Sequence, residues 1–383
     1  MMRRSRYRDA MRQAWTRNRA GTPASLHRSP VPERPQIHQI VLPLASETIR
    51  SSPSTSAPAH VQIYLIESQP LTLIDTGTRM PESRAVLEAA LDELGFGLSE
   101  IERVVVTHAH RDHMGLVQSI RDAGADLECL VHEEDAPVVE SFLENVRCRV
   151  IEMTALFREY GMPEQLLEEL EKKRLDGLDL DSAEAEATPV DRVLRDGDRV
   201  EWKDFALDVR HSPGHTPGHI LLEEEELGLL ITGDQVMGQA VPYAENFYQS
   251  DLPAPGDALL RRPRFRGLVE LRKSLRRLRG RPFRTLLPGY GGIIRRPDRA
   301  IRDTLLHYEV RLQRIDRGLR HLAAMGQDVT AFDLRKALFP PSGPGQEMRS
   351  QMLMLIGALD CLEDDGKLIT ERRPDGVLTH HHC

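Results

Sequence analysis

Cysteine is scarce in this chain of 383 residues: Cys129, Cys148, Cys361 and Cys383 are all there is, and no two are neighbours. That excludes a disulfide-stapled scaffold and a CxxC-type zinc site, and it leads us to expect reduced thiols and a cytoplasmic setting. Aromatic residues are also few, at 5%. Long apolar runs are missing: the longest reach about half of what a membrane span needs, so no span is expected. The N-terminus "MMRRSRYRDAMRQAWTRNRAG" lacks the apolar stretch of a secretory signal.

The charge is unevenly spread. Residues 1–34 hold nine arginines against Asp9 and Glu33, a net of +7, so with −8 overall the remainder carries −15. We read residues 1–36 as a basic, disordered or loosely helical tail; a transit peptide would share that composition. The acidic body gives no support for wholesale nucleic-acid binding through net charge.

The rest of the chain divides into 37–300 and 301–383. Residues 37–44, 61–67, 71–75 and 103–106 read as strands, with a polar loop at 46–59 and a helix at 81–95, opened by Pro81 and stopped by Gly95. Residues 133–175 read as several helices. They run into an acidic stretch, 168–188, expected to be solvated helix and loop. Strands return at 190–194, 198–201 and 204–210, followed by a hairpin at 219–234. Residues 266–279 form an amphipathic helix seamed by Leu268, Leu271, Leu275 and Leu278. A short strand at 284–289 and a long helix from Pro297 to about Met325 follow. Beyond it come a helix with a Thr-x-x-Asp start at 330–339, a second at 346–366 and two short strands at 367–379. Two helices and a hairpin suggest a winged-helix unit.

The densest chemistry is "VVVTHAHRDHMG", residues 104–115, where His108, His110, Asp112 and His113 crowd the end of an apolar strand. A lone histidine there would be an ordinary core residue. Four such groups in six positions need a common partner, because unpaired polar groups are costly to bury. A divalent ion serves: imidazole and carboxylate suit zinc, iron or manganese. In extended chain, residues i and i+2 face the same way, so His108 and His110 reach one ion. Further ligands should stand at other strand ends. "HSPGHTPGH" (211–219), "LLITGDQ" (229–235) and "LIDTG" (73–77) supply His215, Asp234 and Asp75 there.

The HxHxDH, GHTPG and strand-ending GD segments, in this order with LIDTG before and LLPGYG after, resemble the metallo-β-lactamase superfamily over residues 37–300. The resemblance implies an α/β fold, the αββα sandwich of two facing sheets with helices outside. It also implies one or two ions, zinc in the first place, with iron or manganese as alternatives. His108, His110 and His215 would hold the first. Asp112 and His113 would hold the second, with Asp234 bridging. A hydroxide between two such ions, about 3.5–4 Å apart, would attack the substrate. Asp75 would orient a liganding histidine from behind. His219 and His211 occupy positions that are supporting or structural in the family, and His60 and His132 are most simply structural. The terminal "HHHC" is weak evidence of metal binding.

One position departs from the family. The histidine expected in its "PGHG" turn is Tyr290 here. Tyr290 either ligates as a phenolate, or donates a hydrogen bond to substrate beside a second ion with three protein ligands, or marks a weak or empty second site. An unperturbed phenol ionises only near pH 10, which disfavours the first.

The C-terminal unit is similar to the winged-helix attachment of the lactamase-beta-like protein 2 subgroup, which includes endoribonucleases and uncharacterised hydrolases. The helix at 346–364 offers only Arg349 to a phosphate backbone and ends in Asp360, Glu363, Asp364 and Asp365. It is therefore expected to pack on the catalytic domain or border the substrate entrance. The stretch 261–281 holds ten Lys or Arg against Glu270 and reads as an outer helix with a solvated basic face. A small thioester, ester or lactone is the expected substrate, with RNA phosphodiesters as the alternative and a degraded scaffold as a third reading. Oligomeric state is not readable.

Overall fold

The computed structural model describes residues 36–44 and 59–383, apart from 204, 239 and 254. The basic tail up to residue 35, and residues 45–58 of the expected polar loop, lie outside the described residues.

Six strands form the first sheet, in chain order: β1 (Ile37–Pro43), β2 (His60–Ile66), β3 (Thr72–Ile74), β4 (Arg103–Val105), β5 (Glu128–His132) and β6 (Arg192–Leu194). The first three pair antiparallel, and β3 to β6 run parallel. Next come β7 (Arg199–Glu201), β8 (Ala206–His211), β9 (Ile220–Glu224) and β10 (Leu229–Gly233), then a small separate pair, β11 (Asn246–Tyr248) with β12 (Arg264–Arg266). With β13 (Thr285–Pro288), the second sheet takes the order β13-β10-β9-β8-β7.

Side chains alternate across a strand, and here both faces are apolar. On β2, Tyr64 and Ile66 point between the sheets, while Val61, Ile63 and Leu65 face outward. On β9 and β10, Leu222, Leu229 and Ile231 fill the space between the sheets, and Leu221 and Leu230 face the other way. Such doubly buried strands need a layer on each outer face. The Trp202 indole donates to Thr72 Oγ1 at 2.8 Å, and Tyr64 Oη donates to the Pro288 carbonyl at 2.7 Å, stitching the two sheets together.

Helices supply the outer layers. α1 (Pro81–Leu94), α2 (Arg111–Met114), α3 (Val117–Asp122) and α4 (Ala136–Glu140) flank the first sheet. α1 ends at Gly95 in the left-handed region, φ 85°, where glycine avoids the Cβ penalty. α5 (Phe142–Glu159), α6 (Glu164–Leu175) and α7 (Leu178–Glu184) follow. α8 (Gly267–Leu278), α9 (Pro297–Ala324), α10 (Ala331–Leu338) and α11 (Gln346–Asp364) precede the hairpin β14 (Leu368–Arg372) and β15 (Leu378–His382). The α8 leucine seam is buried as expected. Thr330 caps α10 and exchanges bonds with Asp333 as the Thr-x-x-Asp start predicts. One continuous core joins the outer face of the second sheet to α5, α6, α8, α9, α10 and α11. α11 lies close on α8: a Cβ on Gly357 would sit 2.9 Å from Leu268 Cβ.

Two charge readings are corrected. The basic stretch 261–281 does not present a wholly solvated face. The Arg264 side chain is largely covered and donates to Asp360 at 2.5 Å, Arg266 reaches Glu363 at 3.1 Å, and buried Arg272 reaches Glu309 at 3.0 Å and Asp365 at 3.3 Å. The acidic end of α11 therefore neutralises this stretch, and each charge is stabilised by its opposite in a poorly solvated seam. The acidic stretch 168–188 is likewise not all solvated. Asp181 and Glu184 are buried and pair with Arg111, the residue beside the histidine cluster.

Candidate metal centre

The centre lies where strands of both sheets end. Asp75 follows β3, residues 107–113 follow β4, residues 212–219 join β8 to β9, Asp234 follows β10, and Tyr290 follows β13. The Ile220 N–H donates to the Thr107 carbonyl at 2.9 Å, which ties the edges of the two sheets together at this point. His110 caps the short helix α2, and that single turn places Asp112 and His113.

Two compact groups emerge: His108, His110 and His215, and then His108, His113 and Asp234. In each, the ligand atoms lie within 4.8 Å of one another. His108 Nε2 stands 3.1 Å from His110 Nδ1 and 3.1 Å from His215 Nε2. Nitrogens sharing a four-coordinate ion at ordinary bond lengths sit roughly 3.3 Å apart.

The hydrogen bonds behind these rings decide their tautomers. The Thr107 hydroxyl donates to Asp75 at 2.8 Å, so its oxygen accepts from His108 Nδ1–H at 3.1 Å. His110 donates through Nε2–H to Glu245 at 3.2 Å, and His215 donates through Nδ1–H to the Tyr243 carbonyl at 2.7 Å. Each partner accepts only from a protonated nitrogen, which leaves the opposite nitrogen of each ring bare. Three lone pairs then converge with no proton between them. That arrangement is repulsive until a cation occupies it.

The second group shows the same need. His113 Nδ1–H donates to Asp75 at 2.8 Å, and buried His113 Nε2 and Asp234 Oδ1 have no hydrogen-bond partner. They face each other at 3.5 Å. A Cβ on Gly289 would come within 2.5 Å of that Asp234 oxygen, so the turn stays clear only because it is glycine. Both groups therefore fit a divalent ion. Asp112 stands 3.7 Å from His113 Nε2, outside the compact group.

Electrostatics agree. Burial first, then the neighbouring His110, lowers the His215 pKa to about 3, and burial likewise depresses His108. Burial raises Asp234 to about 7, against the opposing pull of His113. Against the cost of burial, Asp234 and Asp75 raise His113 to about 10, and Glu245 raises His110, so the acids around these two rings favour a positive charge that a bound cation would supply.

Asp75 is the keystone behind the centre. It adopts φ 63°, unusual for a residue with a side chain, and accepts from Thr107 N at 2.7 Å, Thr107 Oγ1 and His113 Nδ1. His219 accepts the Asp234 N–H at 3.1 Å through Nε2 and so supports the carboxylate from behind. His211 and His132 stack 4.1 Å apart, outside both groups. Tyr290 is buried and donates to Asp112. Burial, then the charges of Asp112 and Asp234, raise its pKa well above the usual phenol value. Its hydroxyl is occupied with Asp112.

Sequence reasoning missed two supports. Asp135 accepts from Ala109 N, Thr216 Oγ1 and Gly218 N at 2.7–2.9 Å, locking the two histidine loops together. Glu245 joins His110 to Arg149, which lies 3.1 Å away. Asp135 carried a faint signal, an acid three residues past a buried strand. Glu245, in an irregular loop, carried none.

A cavity of about 880 Å³ opens onto His110, Arg111 and Asp112. Val138 of α4 and Phe142, Val146 and Met153 of α5 line it, and Arg349 and Met354 of α11 contribute from the C-terminal unit.

The fold and the paired metal-holding groups define a metallo-hydrolase class. Residues 57–290 match the model of the metallo-beta-lactamase superfamily, and the chain belongs to that superfamily as a metal-dependent hydrolase. It is 27% identical over 314 residues to a probable metallo-hydrolase, YqjP, of Bacillus subtilis, covering 81% of this chain and 90% of that one. It is 25% identical over 340 residues to a beta-lactamase-like protein 2 homolog of Drosophila melanogaster, covering 87% and 93%. A metallo-beta-lactamase family protein of Thermus thermophilus shares the fold at TM-score 0.66 and 23% identity, covering 91% of this chain and 98% of that one. A beta-lactamase domain protein of Burkholderia ambifaria does so at 0.68 and 20%, covering 91% and 93%. Among the described residues no helix is long and apolar enough to cross a membrane.

Proposed function

We propose that this hydrolase acts on a small acyl compound, a thioester, ester or lactone. The observation that carries this reading is the cavity at the centre. Its volume, about 880 Å³, suits a small molecule, and it combines an apolar wall with a few polar groups. An RNA-cleaving enzyme would need an open basic track. The strongest basic stretch, 261–281, is instead largely spent on Asp360, Glu363, Asp365 and Glu309.

His108, His110 and His215 would hold one ion, zinc by the all-nitrogen character of the group, with iron or manganese also chemically suited. His113 and Asp234, with Asp112 nearby, would hold a second. A bound ion would supply Lewis-acid polarisation and bring the pKa of water close to 7. The chain's own groups do the rest. Asp112 borders the cavity with one oxygen anchored by Tyr290. It accepts the proton of the attacking water and passes it to the leaving sulfur or oxygen. Asp75, Glu245 and the Tyr243 carbonyl keep the imidazole tautomers ready. The apolar wall receives the acyl chain and excludes bulk water. We read α10, α11 and the β14–β15 hairpin as a winged-helix-like unit whose α11 borders this cavity, with a nucleic-acid partner possible but not favoured. The free cysteines support a reducing, cytoplasmic setting.

The test is a panel of thioesters, lactones and esters offered to the metal-loaded protein. Saturable hydrolysis that Asp112→Asn reduces about a hundredfold or more is expected. Inertness toward the whole panel, with salt-sensitive RNA cleavage instead, would replace this reading with the nuclease.

A further inference from the structure

Most charged side chains around the cavity face an opposite charge or several donors; among the described residues, Arg349, Arg311 and Glu347, which meets only a neutral amide, do not. Asp181 binds Arg111 and Arg174, Glu245 binds His110 and Arg149, Asp135 accepts three donors, and Glu347 accepts from Gln351 at 3.1 Å. Arg349 of α11 has no carboxylate partner. Among the described residues its guanidinium meets Met153 Sδ, at 3.2 Å, Tyr243 Oη, at 3.4 Å, and the Tyr243 ring, with no acid among them. Arg311 of α9 lines the same cavity and, among the described residues, makes no ion pair or hydrogen bond.

A half-buried guanidinium without an acid is costly unless a ligand supplies the anion. Three features fit that ligand. Arg349 borders the cavity that also opens onto His110 and Asp112. Tyr243 links it to the centre, accepting from His215 through its carbonyl while its hydroxyl meets Arg349. The first turn of α11, with no side-chain cap, borders the same space through Gln346 and Glu347. A helix start adds a favourable field for an anion.

We propose that Arg349 forms a subsite for an anionic group, a carboxylate or phosphate, carried by the substrate away from the bond that is cleaved, with Arg311 a second cation on the wall of the same cavity. This rests on the small-acyl reading above. The C-terminal unit is then a specificity element, and the enzyme selects acidic acyl compounds over neutral ones of equal length. Arg suits the task because its planar fork matches carboxylate and phosphate oxygens in pairs.

The experiment measures binding as well as turnover in the full metal-loaded chain. Glutarate, with two carboxylates, is compared with valerate, with one, by titration calorimetry. The thioesters of a neutral thiol with glutaric and valeric acid are compared by kcat/KM. Inorganic phosphate reports whether the subsite takes phosphate as well as carboxylate. A charged hydrogen-bonded contact corresponds to about a tenfold to hundredfold preference for glutarate. Arg349→Gln should collapse that preference toward unity, and Arg349→Lys should restore part of it. Equal binding of glutarate and valerate to the wild type would overturn the proposal. So would a preference that survives both Arg349→Gln and Arg311→Gln. A glutarate preference that depends on Arg349, with no thioester hydrolysed, would keep the subsite and discard the small-acyl reading. An oligonucleotide whose binding depends on Arg349 while glutarate shows no preference would overturn the proposal in favour of RNA.

Discussion

The two metal-holding groups share His108 but are finished in different ways. In the first, each of the three imidazoles has a partner behind it, Thr107, Glu245 or the Tyr243 carbonyl, and the bare nitrogens meet at 3.1 Å. In the second, His113 is held as firmly by Asp75, yet the position after β13 offers a phenol instead of an imidazole, and that phenol engages Asp112. One group is three imidazoles; the other adds only His113 and Asp234 to the shared His108, and the nearby Asp112 is engaged by a competing hydrogen bond. The lesson is that a metal site is set as much by what stands behind its ligands as by the ligands themselves.

Breaking both groups at once should have the largest effect. His108→Ala removes the shared ligand, and we expect both ions to be lost and activity to fall on the order of a thousandfold, the scale of several kcal/mol of charge stabilisation. Metal analysis of the purified variant checks it. Next, the groups should separate when their supports are cut. Asp75→Asn disturbs His113 directly and His108 only through Thr107, so it should weaken the second ion about tenfold to a hundredfold and the first by less. Competition with a chelator, read as metal released per chain, distinguishes the two steps. Tyr290→His acts in the opposite direction. It frees Asp112 and adds an imidazole, so the second ion should become harder to strip, by about tenfold. An unchanged chelator midpoint would show that residue 290 does not govern that group.

Glu245→Gln should have a smaller effect, a few-fold loss at the first ion, because the amide oxygen still accepts from His110. The smallest effect is a control from histidines outside both groups. Burial first, then the adjacent His211, lowers the His132 pKa to about 4. Between pH 6.5 and 4 the unfolded chain therefore binds this proton before the folded one does. The stability due to a neutral His132 is full above 6.5 and is lost as pH falls toward 4. His132→Asn should make the fall in Tm between pH 7 and 5 shallower by about 2 °C or less, with metal content unchanged. A change in metal content would mean that the stacked pair belongs to the centre after all.

Much of this was readable in the sequence for a local reason. His108, His110, Asp112 and His113 stand within six residues, and Asp75 and Asp234 sit at strand ends marked by apolar runs. The elements followed as well, from the Pro81 start of the first helix to the Thr330 cap. The short pair Asn246–Tyr248 with Arg264–Arg266 escaped notice, since three-residue strands carry too little pattern. The pairing of the basic stretch with the acidic helix end also escaped, because Arg264 and Asp360 are 96 residues apart. The basic stretch therefore read as a solvated face while its partner was out of view.

The sequence by itself determined most of the elements and the ligand residue types, through period, spacing and chemistry along the chain, and its motifs carried the resemblance that implied the sandwich and marked Tyr290 as a departure. Only the tertiary structure decided which nitrogen of each imidazole is bare, that Asp135 locks the histidine loops, and that Arg349 enters the cavity without a carboxylate. Those outcomes depend on which distant groups meet, and a hydrogen bond or an unpaired charge exists only once the chain has closed around it.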